Sequence, residues 1–386
     1  MSLDVLNMTR RSFLSSSIAS GLVLTVPGRL FAAAAGPALY RDGVVIDGLG
    51  FPGGSSGDED AALTAGEITD VSTSGLTAAH LTVGTVGSMA PLAAFEKIVR
   101  DIARWEAEID RHADVLARVR EVADIAAAKR DGRTGLIYGL QDGVAFEDDL
   151  DRLASLRQFG VRVIQPTYNR RNLLGDGVME PADAGLSRTG VEAIERLNEL
   201  GILVDLSHCG RHTAADAIAV SKRPVAFTHT GCAALVEHPR HRTDAELRAV
   251  AETGGVIGIF IMPYLSRGKQ PTAADVIAHL EHALKVAGSD HVAIGTDGMI
   301  SATELTPAYV TQFRNNVRER KESGIAATFE TEDGYLFASD LNSPRRFETL
   351  AGMLLARGHD ATTVSKVLGG NLVRVFADTW TPEHSS

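Results

Sequence analysis

Three short segments of this chain end in side chains that can bind a metal or move a proton. They are Asp205-Leu206-Ser207-His208, Ala226-Phe227-Thr228-His229 and Gly295-Thr296-Asp297-Gly298. Two imidazoles and a carboxylate brought to one rim can hold Zn²⁺ and leave positions open for water. Singly, each has a plainer reading: a lone strand-end histidine is usually structural, and Asp297-Gly298 could be a turn. As a set they point to chemistry. His80, in Thr77-Ala78-Ala79-His80-Leu81, could face the same place or be a hydrogen-bonded interior histidine. Cys209 and Cys232 follow the two histidines closely. They could form a disulfide in an oxidising compartment, bind a softer metal, or be buried thiols, with the disulfide the first expectation.

The elements that must deliver these residues are legible as apolar runs. Strand-like runs occur at Val44–Ile46, Leu76–Val83, Leu136–Leu140, Val161–Ile164, Ile202–Asp205, Pro224–Phe227, Gly255–Phe260 and His291–Ile294. Amphipathic stretches between them predict helices over Pro91–Ala127, Asp148–Phe159, Ser187–Leu200, Thr213–Val220, Thr243–Thr253 and Thr272–Ala287, with Ser187 and Thr243 as N-caps. Two further helices around Gly358 are expected in Ser343–Phe376, and the polar stretch Ala302–Leu341, with an acidic patch at Glu330–Asp333, is expected to be a long loop over the barrel mouth. Eight strands alternating with helices imply an α/β fold, a (β/α)8 TIM-type barrel whose chemistry sits at the carboxyl ends of the strands. An open doubly wound sheet is the alternative, but no Gly-rich dinucleotide loop follows the first run.

The chain has 386 residues, 44% hydrophobic and 23% charged, with a formal charge of −11. No basic cluster stands out, which argues against nucleic acid as a partner. Residues 1–35 read as a signal peptide: Arg10-Arg11-Ser12-Phe13-Leu14, an apolar stretch from Ser15 to Val26, then Ala32–Ala35. The paired arginines predict recognition by the twin-arginine export machinery, cleavage near Ala33–Ala35, and a periplasmic or secreted product. A retained anchor is the alternative, for which the apolar stretch is short. Residues 36–386 form one expected domain.

Longer blocks add a resemblance. Gly185–Gly190, Leu197–His208, Arg223–His229, His238-Pro239-Arg240, Asp290–Asp297 and Gly369–Val375 resemble, in order, the membrane dipeptidase family, peptidase family M19. The resemblance implies a metallo-dependent hydrolase barrel carrying two bridged zinc ions, a dipeptide or related small-molecule substrate, and a homodimer. Residue by residue it makes His208 and His229 ligands of the second metal and Arg240 the grip on the substrate carboxylate. Asp297 becomes the acid/base. It also places Gln141 where the family has its bridging glutamate and Tyr168 where it has a histidine that contacts the reacting group. The family's first-metal ligands fall at Leu49 and Phe51, which cannot bind zinc. Asp142, beside Gln141, should face the other side of its strand. His238, His241 and Arg242 should rim the pocket.

These departures predict a reduced site: one zinc, or another divalent ion, on His208 and His229 with Gln141 or Asp297; the alternative is a site rebuilt by His80, Cys209 or Cys232. The expected function is an exported metal-dependent hydrolase of the dipeptidase type. The alternative is a non-peptidase periplasmic barrel that binds or matures a peptide-derived small molecule.

Overall fold

The eight apolar runs form eight strands: β1 Ile46–Asp47, β2 Ala78–Thr82, β3 Thr134–Leu140, β4 Val161–Ile164, β5 Leu203–Asp205, β6 Val225–Cys232, β7 Val256–Ile259 and β8 Val292–Ile294. In this computed structural model, which describes residues 38–53, 61–87, 89–328 and 330–382, each strand pairs in parallel with the next in chain order. The signal-type segment 1–35 lies outside the described residues. Gly48 N–H donates to the Ile294 carbonyl at 2.9 Å across the gap between β1 and β8. The Asp47 carboxylate beside it accepts from Thr296 N at 2.8 Å and Thr296 Oγ1 at 2.6 Å. A two-residue pairing of Gly50–Phe51 with Gly298–Met299 continues the contact outward. The sheet is thereby a nearly closed (β/α)8 barrel.

Side chains alternate along a strand, so its interior fills in layers. The lowest layer takes one buried residue from every strand: Ile46, Ala78, Ile137, Val163, Leu203, Ala226, Val256 and Ala293, packed on Leu372, Val375 and Phe376 of the last helix. Two residues on, the layer is Gly48, His80, Gly139, Gln165, Asp205, Thr228, Gly258 and Gly295. Its glycines make room. A Cβ at Gly258 or Gly295 would lie 1.9 Å from the Thr228 carbonyl oxygen, and one at Gly139 would lie 2.0 Å from His80 Nε2.

The expected N-caps hold: Ser187 accepts from Gly190 N–H, and Thr243 from Glu246 N–H. Three expectations need correction. Pro91–Ala127 is not one helix; it stops at Arg111, and a short strand Leu116–Arg118 joins β3 before the helix Val122–Asp131 begins. Buried Ala117 and Val119 alternate there with exposed Arg118 and Arg120, a strand period inside a charge-rich stretch. Ala302–Leu341 is not only loop: Thr306 caps a helix from Pro307 to Glu322, which buries only Phe313 and Val317 and so carries little apolar signal. Ser343–Phe376 holds helices Arg346–Ala356, Ala361–Ser365 and Asn371–Thr379, with a π-turn at Lys366–Gly370 before the last.

Asp47→Ala strips the acceptor from the buried Thr296 N–H at the barrel seam. It should cost about 1–3 kcal/mol, read as a lower urea midpoint at unchanged slope; an unchanged midpoint would show that the seam does not need this carboxylate.

Candidate active site

The two histidines are aimed by one carboxylate. Asp205, at the end of β5, accepts from Ser207 N (3.1 Å), Ser207 Oγ (2.6 Å), Thr228 N (3.0 Å) and Thr228 Oγ1 (2.6 Å). The Thr228 hydroxyl proton is committed to Asp205, so Thr228 Oγ1 accepts from His229 Nδ1 at 2.8 Å. His229 therefore keeps a bare lone pair on Nε2. Its inward position comes from one extra residue in β6: Phe227 and Thr230 oppose Ile257 and Ile259, two positions apart on β7. His208 Nδ1 is 2.7 Å from Asn169 Oδ1, and its ring lies 5.1 Å from that of His229. Both Nε2 atoms are buried with no partner. Burial, reinforced by Arg240, holds both imidazoles well below the usual histidine range, hence neutral.

His80 is a third neutral imidazole, one layer deeper. Its Nδ1 faces the Gly48 carbonyl at 2.7 Å, so Nδ1 donates and Nε2 is again a buried, unpartnered lone pair. Gln141 Nε2 donates to Thr82 Oγ1 at 2.9 Å. Asp142 turns away, as its strand position requires, and accepts from Gly87 N, Val144 N and Asn172 Nδ2.

Beside the two histidines stands Arg240, which is electrostatically coupled to Asp297. Arg240 is buried, with Nη2 3.3 Å from the His229 carbonyl, Nε 3.4 Å from that of Ser207, and its guanidinium 5.7 Å from the Phe260 ring. Burial lowers its pKa, and Asp297 opposes that shift. Asp297 is the one described non-glycine residue in left-handed backbone, with φ 55°, the kind of strain that collects at functional positions. Its loss of solvent raises its pKa to about 6 against the pull of Arg240 and then Arg320. Tyr168 stacks on His208 with ring centres 4.0 Å apart, and its hydroxyl is 3.4 Å from Arg320 Nη2.

Arg320 and its partner Glu330, 2.7 Å away, were not foreseen, because the polar stretch that carries them has no motif. Asn169 was also missed, although it directly follows Tyr168. Of the expected rim residues His238, with Tyr264, walls a cavity of about 1180 Å³, but that cavity is lined by none of His208, His229, Arg240 or Asp297. His241 and Arg242 are buried, and Arg242 donates to the carbonyls of Leu206, Ser207 and Cys209.

The expected disulfide is absent. Cys209 and Cys232 are both free and buried. The Cys232 thiol donates to the His279 carbonyl at 3.4 Å, whereas Cys209 is engaged with Thr167. Burial pushes the two thiols up to about 12 and about 11, so neither is a ready thiolate ligand.

A two-metal centre does not fit these residues. Leu49 is buried with its backbone tied to Asp47 and Asp297, and the Phe51 carbonyl accepts from Ile300 N–H. Among the described residues, no three His, Cys, Asp or Glu side chains are grouped to hold a metal ion. What does fit a single cation is the pair of unpartnered, correctly protonated nitrogens on His208 and His229.

Residues 62–306 match the family model of membrane dipeptidase (Peptidase family M19). The chain belongs to that family. An amidohydrolase of Pseudomonas aeruginosa, known from its crystal structure, is 32% identical and superposes with a TM-score of 0.76 over 89% of this chain and 99% of that one. Dipeptidase verJ of Clonostachys rogersoniana is 29% identical over 270 residues, 69% of this chain; the match spans 61% of verJ. A metallo peptidase of Rhodobacter sphaeroides, crystallised with a phosphinate mimic of L-Ala-D-Ala, shares the fold at 18% identity, with a TM-score of 0.70 over 88% of this chain and all of that one.

With both thiols buried and reduced, a thiol reagent should label neither cysteine in the native protein and both after denaturation without reductant. One intramolecular disulfide would instead leave the unfolded chain unlabelled.

Proposed function

We propose that this family member is an exported hydrolase that cleaves the amide bond of dipeptides or similar small carboxylates at a site reduced to one metal ion. The observation that carries the reading is a buried cluster in which two lone-pair imidazoles lie beside an arginine and a carboxylate of opposite charge. One divalent ion, zinc by ligand type, held by His208 and His229 with oxygen from Asp297 or Gln141, would supply a polarised water and a Lewis acid for the scissile carbonyl. The remaining work belongs to the chain. Arg240 presents a guanidinium fork to the substrate carboxylate, orienting the amide. Asp297, half ionised near pH 6, accepts the proton of the attacking water and returns it to the departing amine. Tyr168 packs on the His208 ring and bounds the space left for the substrate. Export by the twin-arginine route, supported by Arg10 and Arg11, would carry the folded protein to the periplasm.

The loss of family ligands at Leu49, Phe51 and Gln141 favours a second reading, a barrel that binds or matures a peptide-derived molecule without hydrolysing it. Metal content separates the two. About one equivalent of zinc, absent from His208→Ala and His229→Ala, is expected; zinc-free wild type, or zinc indifferent to both substitutions, would discard the hydrolase reading.

Asp297→Asn should lower turnover of a dipeptide about 10²–10⁴-fold while the bound zinc remains; undiminished turnover would remove Asp297 from the mechanism. The base must be ionised to act. Wild-type kcat/KM should therefore fall about tenfold per unit once pH drops below this carboxyl's pKa, which lies at about 6 without a metal and lower beside a bound cation; the same acid limb persisting in the residual activity of Asp297→Asn would assign it to another group.

A further inference from the structure

Three consecutive residues after β4 are fastened to a segment that is no part of the eightfold repeat. Tyr168 Oη accepts from Arg320, Asn169 Nδ2 donates to the Ile325 carbonyl at 2.8 Å, and Arg170 Nη1 donates to the Ser323 carbonyl at 2.8 Å. The segment is itself braced. Glu330 accepts from Arg320 Nε at 2.7 Å and from Ala327 N at 2.9 Å, and Ile325 N and Ala326 N return to the Arg320 carbonyl, each at 3.0 Å. The Thr328 carbonyl accepts from His238 Nε2 at 2.6 Å. The turn that makes this possible is Gly324, in left-handed backbone at φ 69°, directly after the helix Pro307–Glu322 and its cap Ser323.

The middle link has a chemical consequence. An amide side chain can be built either way round, but a backbone carbonyl only accepts. The Ile325 carbonyl therefore fixes the Asn169 NH₂ toward itself and turns Oδ1 toward His208. Oδ1 in turn only accepts, so the proton of the neutral His208 ring must sit on Nδ1, 2.7 Å away. The Nε2 lone pair then faces the chamber. Asn169 is buried, leaving water little chance to replace either bond. His229 reaches the same tautomer through groups of the barrel itself, Thr228 and Asp205. His208 reaches it only through the added segment.

We propose that Asn169 is a positioning residue that holds His208 in its Nδ1–H form, and that the strap Arg320–Thr328 keeps Asn169 in the orientation this requires. The proposal rests on the reading of His208 as an Nε2 donor. It also assigns a purpose to a segment outside the barrel repeat: it completes the aim of one imidazole.

The test uses zinc-free full chain labelled with ¹⁵N-histidine and two-bond ¹H–¹⁵N correlation spectra, with His208 assigned by the signal lost in His208→Gln. Wild type should show one neutral Nδ1–H pattern for His208. Asn169→Leu removes the acceptor, and Gly324→Val strains the left-handed turn that aims the Ile325 carbonyl; both should give exchanging tautomers. Asn169→Asp keeps an acceptor for Nδ1–H and should restore the single pattern even though its bond to Ile325 is gone. A single unchanged pattern in Asn169→Leu would overturn the role of Asn169, and one in Gly324→Val would overturn that of the strap. Added zinc should then bind about 10–100-fold more weakly to both tautomer-mixed variants and within a few-fold of wild type to Asn169→Asp. If wild type binds no zinc, the proposed hydrolase fails while the tautomer experiment still decides the strap.

Discussion

The carboxylate of Asp205 is the constraint on which the site depends. It stands at the point where β5 ends and β6 begins to bulge, and it takes four hydrogen bonds, two from Ser207 and two from Thr228. Those bonds fix the residue before each metal-type histidine, so the Cα positions of His208 and His229 are set together. Removing the acceptor would leave buried donors bare at two strand ends, where the low dielectric makes an unpaired group most costly. The same device appears at the seam of the barrel, where Asp47 takes the backbone and hydroxyl of Thr296 at nearly the same distances. There it sets the residue before Asp297. Three of the four residues given chemical roles are thus each preceded by a side chain locked into an aspartate-centred knot.

Space is the second condition. The layer holding His80, Gln165, Asp205 and Thr228 also contains four glycines, and β6 pushes the Thr228 carbonyl inward against three of them, Gly48, Gly258 and Gly295. A barrel interior is normally filled by branched apolar side chains in every layer. Here the lowest layer follows that rule and the next abandons it, exchanging apolar packing for room for an imidazole and a bulge. The bulge brings His229 to the mouth, so the glycines act on the site without touching it.

Much of this was legible in the sequence, for a physical reason. Buried parallel strands are short continuous apolar runs, and all eight were visible because they alternate regularly with amphipathic stretches. The residues at their carboxyl ends, His208, His229 and Asp297, followed from the topology. What escaped was decided by packing rather than pattern. Ala117 and Val119 look helical among their charged neighbours until β3 supplies an edge to pair with. The stretch expected to be loop over the mouth carries the helix Pro307–Glu322, and that helix and the turn after it bring Arg320 to Tyr168 and the Ile325 carbonyl to Asn169. The cysteines misled because closeness in sequence to two neighbouring strand ends does not make two thiols face each other; one meets Thr167 and the other the helix Ala273–Ala287.

The replaced ligands weigh on charge as much as on geometry. Aspartate and glutamate at positions 51 and 141 would bring two negative charges into a chamber that already holds Arg240 and Arg320; phenylalanine and glutamine bring none. At an effective dielectric near 20, one unit-charge pair 4 Å apart is worth about 4 kcal/mol. Two missing carboxylates therefore withdraw stabilisation from a second dication twice over, once as bonds and once as field. Glu330 does not restore it, because its charge is matched by Arg320. A single ion on neutral imidazoles, as proposed, would suit the remaining charges. It leaves Asp297 as the carboxylate nearest the reaction and Arg240 with a cationic edge to spend on an anionic substrate. On the proposed reading, Arg240 and Asp297 are the two charges that a carboxylate-bearing amide would need.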